Sequence, residues 1–193
     1  MKYSYIICTL LFIGVMSQMG GWKKGSFRED DLGIDRAYKK AFEEYSKENP
    51  GSDIDSTVRL TIYRQFVNGI NYRMTFIDLK RELNVIQEYV ISSPPFSNYR
   101  DKPFQLYAQA SHRPSEENLS LNDEKVGRIQ KELFKVYKES RDFIYNINKI
   151  EVVETTLDFF YIVYTGSKNK EQIFVAGQSK EDNYNFEVVE KLK

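Results

Sequence analysis

Apolar residues recur at helix spacing in two stretches of the chain. Ile34, Ala37, Tyr38, Ala41, Phe42 and Tyr45 line one face of a predicted helix, and Val126, Ile129, Leu133, Val136 and Tyr137 line another. The first helix is stopped by Asn49-Pro50-Gly51, because a proline drives the residue before it out of the helical region. The period then falls to two. Val58, Leu60 and Ile62 alternate with polar positions, the segment QFVNG (Gln65 to Gly69) follows, and Ile70, Tyr72, Met74 and Phe76 alternate again. This pattern predicts a helix followed by a β-hairpin, and Asn68-Gly69 is the strongest short signal for its turn. Two further strands are expected at 83–91 and 104–108, separated by a loop carrying Pro94, Pro95 and Pro103. Beyond the second helix, strands are expected at 145–154, 158–165, 172–175 and 185–189.

The chain also repeats itself. Residues 36–48 overlay 128–140 at an offset of 92, matching Arg36 with Arg128, Lys39 with Lys131, Phe42 with Phe134 and Tyr45 with Tyr137. Each half reads as one helix plus about four strands. A four-stranded antiparallel sheet needs one face covered, and a single long amphipathic helix is an economical cover, so the expected fold class is α+β, twice. Residues 110–118 are poor in apolar side chains and read as a linker between domains at 18–109 and 119–193. The second helix is announced by a capping stretch ending at Asp123.

Composition narrows the function. The chain has 193 residues, 41% hydrophobic and 15% aromatic, enough for a packed core. Its 28 basic and 28 acidic residues cancel, which argues against a nucleic-acid partner or a polybasic membrane patch. Residues 1–17 read as a secretory signal peptide: one early lysine, an apolar run from Tyr5 to Met16, and Ser17 before a cut. A spanning helix needs about 20 apolar residues, more than this run provides, so no membrane association is expected once the signal is removed. The only cysteine, Cys8, lies inside that signal, which leaves no thiol for catalysis, for a disulfide or for a zinc site. His112 is the sole histidine and reads as a solvated loop residue without a partner base. No enzyme activity, cofactor or metal is therefore expected. The acidic run Glu29-Asp30-Asp31 reads as charge ahead of the first helix. Asn118-Leu119-Ser120 is an N-glycosylation sequon, usable in a secreted protein.

With a signal peptide, the glycine pair Gly20-Gly21 near the processed N-terminus, one helix, and a hairpin turning on Gln65-Phe66-Val67-Asn68-Gly69, 44 positions past Gly21, the chain resembles the cystatins. These are protein inhibitors of papain-like cysteine proteases. The resemblance covers about residues 20–108 and, more weakly, the second half. It implies two cystatin-like domains, each one long helix packed on an antiparallel sheet of about four strands. It also implies a secreted, reversible inhibitor, at home outside the cell or in the lumen of the secretory or lysosomal-vacuolar pathway. Where cystatins usually carry Pro-Trp in a second loop, this chain has Pro95-Phe96.

On that resemblance, an arm at Gly20 and Gly21, a tip at Gln65, Phe66, Val67, Asn68 and Gly69, and a loop at Pro95 and Phe96 would enter the cleft of a papain-like protease. Glycine in the arm lets the backbone approach closely and veer away from the thiolate, so the cleft is occluded without chemistry. Trp22 reads equally as an arm anchor or as a packing residue. In the second half Glu151 to Thr156 stands where a tip would be, without glutamine or glycine, so that half is expected to be a degenerate module. The reading from another class is a non-inhibitory structural or assembly protein of the secretory pathway that keeps the cystatin fold.

Overall fold

A computed structural model describes residues 21–26, 32–95, 102–116, 118–138, 144, 146–167, 170–182 and 185–193. Residues 1–17, read above as a signal peptide, lie outside them. The described elements, in chain order, begin with β1 (Lys23–Lys24), α1 (Leu32–Glu48), β2 (Thr57–Val67), β3 (Gly69–Asp78), β4 (Ile86–Ser92) and β5 (Gln105–His112). They continue with α2 (Glu124–Val136), β6 (Ile147–Glu154), β7 (Asp158–Ser167), β8 (Lys170–Ser179) and β9 (Val188–Lys191). One sheet has the order β1-β2-β3-β4-β5 and the other β6-β7-β8-β9.

By compactness the chain divides into two units: 1–50, 61–74 and 89–109 form one, and 51–60, 75–88 and 110–193 form the other. Strands β2 to β5 each contribute residues to both.

In the first unit α1 buries Ile34, Ala37, Tyr38, Ala41 and Tyr45, the face its period predicts, with Phe42 at the margin. Its outer face is laced by Lys40 and Lys47 to Glu44, at 2.6 and 2.8 Å. The hydrogen bonds from these lysines hold the Glu44 carboxyl below its ordinary range. The helix ends where the Asn49 N–H and side-chain amide both donate to the Tyr45 carbonyl, and Gly51 then turns the chain at a φ of +87°. Contacts between helix and sheet include the Arg36 guanidinium 4.8 Å from the Phe104 ring centre and Gln109 donating to Glu48. Ile62, Tyr72, Met74, Tyr89 and Ile91 are buried as well.

The second unit has a sheet buried on both faces, because successive side chains of a strand point opposite ways. Tyr161, Val163, Phe174 and Ala176 pack with Val126, Ile129 and Leu133 of α2. Their neighbours Phe160, Ile162, Ile173 and Val175 pack instead with Leu60, Ile77, Ile86 and Val153. Helix α2 is capped by the Asp123 carboxylate, which accepts from the Lys125 N–H at 2.8 Å.

These observations correct the expected fold class. Among the described residues the structure is mostly antiparallel sheet, nine strands in two sheets with two short helices of 17 and 13 residues. It is not two cystatin-like domains of one long helix on about four strands. Two physical causes stand out. A fifth strand joins the first sheet through Lys23 and Lys24, which carry no apolar alternation and pair with Arg64 and Tyr63. In the second unit one helix serves only one of two buried faces, and a second apolar layer covers the other. Within the segment read as a linker, β5 runs on to His112, Pro114 bridges Val153, and the Ser115 N–H donates to the Val152 carbonyl at 3.0 Å.

Candidate functional site

The QFVNG segment is more strand than loop. Gln65, Phe66 and Val67 complete β2, Asn68 alone makes the turn, and Gly69 opens β3. Gly69 adopts a φ of +121°, a conformation that a side chain disfavours. Space forbids a side chain as well, since a Cβ there would stand 2.6 Å from the Ser93 carbonyl oxygen and 3.2 Å from the Pro94 backbone. Phe66 is 45% exposed, Asn68 is exposed and Val67 is half-buried. An apolar ring therefore faces solvent on a turn whose backbone is fixed from behind.

Ser93 does the fixing. Its N–H donates to the Ile70 carbonyl at 2.8 Å, and its hydroxyl oxygen accepts from the Ile70 N–H at 2.9 Å. A chain of side chains runs beside this pair. The Ser92 hydroxyl donates to Asn71 Oδ1, and the Asn71 amide reaches Gln65 Oε1 at 3.4 Å. Gln65 thus supports the tip from within the sheet. Pro94 is buried and Pro95 half-buried, while Phe96 lies outside the described residues. An open cavity of about 240 Å³ lies between Ser92 to Pro95 on one side and Lys102, Pro103 and Gln105 on the other.

The arm arrives at the same end of the sheet. Lys23 pairs with Arg64 and Lys24 with Tyr63, which brings the arm against β2 just ahead of the tip. Gly21 is exposed and open, with nothing within 4 Å of a Cβ placed on it, and Gly20 lies outside the described residues. The Arg73 guanidinium sits 4.7 Å from the Trp22 ring centre. The Gly25 N–H then donates to the Ile62 carbonyl, tying the arm to β2.

The hairpin β6–β7 closes differently. The Thr155 N–H and hydroxyl donate to the Asp158 carbonyl, the Asp158 N–H donates back to the hydroxyl, and the Thr156 N–H is taken by the Glu88 carboxylate at 3.0 Å. Thr155 and Asp158 are almost fully buried. Val175-Ala176-Gly177 lies inside β8 rather than in a loop, with Gly177 beneath the Phe160 ring. Glu151 is a core carboxylate: burial would raise its pKa, but Lys149, Tyr164 and Asn84 all donate to it and hold it below its ordinary value. His112 is no solvated loop residue. It ends β5 with Nε2 3.0 Å from a Glu88 oxygen, close enough for an ion pair though not aligned as a hydrogen bond.

Among the described residues no three of His, Cys, Asp and Glu cluster as metal ligands, and no helix is long and apolar enough to cross a membrane. Asn118 is exposed. Sequence reasoning missed Ser92, Ser93 and Asn71. The one signal for them was the pair of serines between a predicted strand and Pro94-Pro95, polar residues where backbone partners are needed. No protein-family model matches the chain, and no curated protein matches it as a relative.

Proposed function

We propose that this chain is a reversible inhibitor of papain-like cysteine proteases, entering the protease cleft with the arm, the β2–β3 tip and the loop carrying Pro95 and Phe96. The observation that carries the reading is the seating of Gly69 against Ser93 and Pro94, which makes tip and loop a preformed edge with Phe66 exposed. Preformed loops lose less binding energy to ordering, which suits occlusion of a cleft. The pairing of Lys23 and Lys24 with β2 just ahead of the tip adds a third element at the same end. Function resides in this edge and not in the architecture behind it, so the corrected fold leaves the reading standing. The signal segment 1–17 and the exposed Asn118 sequon fit a glycosylated, secreted protein, and the protease would be its partner in the secretory or lysosomal-vacuolar pathway.

The test is a titration of several papain-like enzymes with protein beginning at Gln18. Activity is expected to vanish near equimolar inhibitor, and removal of Gly20 and Gly21 to weaken the effect. Activity unchanged across the enzymes would sink the proposal. A structural or assembly role draws on one observation of its own, the uncharged run 105–111 of the edge strand β5, where Tyr107 is 75% exposed. Under that reading, trimming the glycines changes nothing and self-association or partner capture depends on Tyr107.

A further inference from the structure

We infer that Ser93 is a positioning residue, which registers the β2–β3 tip against the second loop so that the two meet a partner as one body. The inference rests on the inhibitor reading only for its consequence in binding. Its basis is the reciprocal pair between Ser93 and Ile70, in which both backbone groups and the hydroxyl take part. Ser93 is only 6% exposed, so water cannot readily replace its hydroxyl. Without that oxygen the buried Ile70 N–H would lose its acceptor, a costly state for a backbone donor.

Position explains why this one hydroxyl matters. Gly69, whose backbone sets the turn, lies against the carbonyl of the same Ser93 and against Pro94, the first residue of the loop beyond. One residue therefore touches the turn through its carbonyl, the first residues of β3 through its N–H and hydroxyl, and the second loop through its own peptide bond. A change in the Ser93 torsions shifts the tip and Pro94 together.

Loss of registration lowers the fraction of molecules in the binding geometry, and so slows association. Loss of a contact residue such as Phe66 mainly speeds dissociation. The two roles are separable by kinetics. In Ser93→Ala, exchange of the Ile70 amide is expected to rise about tenfold, the scale of one buried hydrogen bond, with amides of β7 and β8 unchanged. Association with a papain-like protease should slow by a similar factor, while Phe66→Ala should chiefly raise the dissociation rate. Ser93→Thr, which retains the hydroxyl, should restore slow exchange. If Ser93→Ala fails to fold, Ser93→Cys, similar in size but a weak acceptor, carries the same measurements. Unchanged Ile70 exchange in the folded variant overturns the inference. If wild-type protein leaves the protease untouched, the inhibitor reading fails alone, and Ile70 exchange still decides the role of Ser93.

Discussion

Hairpin β2–β3 turns through Asn68 alone, with Gly69 at a φ of +121° and Phe66 45% exposed, whereas β6–β7 turns through 155–157 with Thr155 and Asp158 almost wholly buried. Both satisfy their turn backbone, by opposite means. The first borrows Ser93 from the next loop and leaves its own apolar side chain facing out. The second uses its own threonine hydroxyl as donor and acceptor at once, and hands a further N–H to Glu88. A turn closed by its own threonine and by Glu88 has little left to offer a partner. One held from behind can present what lies in front.

The largest expected effect separates stability from binding. Phe160→Ala empties a fully buried site in the second unit and should cost about 3–5 kcal/mol in denaturant unfolding. Protease affinity of the folded fraction should not change. A parallel loss of affinity would show that the β6–β7 side matters to binding.

Gly69→Ala comes next, because it meets both an unfavourable φ and the Ser93 carbonyl. Strain and overpacking together should cost about 2–4 kcal/mol, with protease affinity lost alongside. Gly51→Ala is the control, with a positive φ but open space, and should cost about 1–2 kcal/mol with affinity intact. Equal costs at the two glycines would remove the argument for a fixed tip.

Phe66→Ala should move stability by no more than about 0.5 kcal/mol while lowering affinity at least about tenfold. Unaltered affinity would take Phe66 out of the interface.

The smallest effect is that of Glu151. Its pKa is lower in the folded than in the unfolded chain, so its contribution is complete above the unfolded value near 4.5 and fades as pH falls through the folded value. Thermal melts between pH 6 and 3 should therefore bring wild type and Glu151→Gln together at the acid end. A gap that stays constant below pH 4.5 would contradict the role of Lys149, Tyr164 and Asn84 as partners of a carboxylate.

Both helices were legible in the sequence, because apolar spacing of 3.6 needs no knowledge of what covers it. They begin 92 residues apart, at Leu32 and Glu124, the offset of the internal repeat. The β2–β3 hairpin was legible for the same reason of period, and the turn because Asn-Gly marks it. Strand β1 was not, since Lys23 and Lys24 join through backbone groups that every residue carries. Nor was the second apolar layer in the other unit, because alternating Phe160, Tyr161, Ile162 and Val163 say that both faces are buried without naming the covers. At the candidate site the tip residues stood out by type. Ser93 did not, because its importance lies in a contact 23 residues away along the chain.

The central claim is that the partner-facing edge belongs to the first hairpin and not to the second. Amide exchange of the chain, free and in complex with a catalytically blocked papain-like protease, tests it most directly. The account predicts new protection at Gln65 to Gly69 and at Ser93, with none at Thr155 to Asp158. Protection confined to Thr155 to Asp158, or absent from both turns at saturating protease, would contradict it.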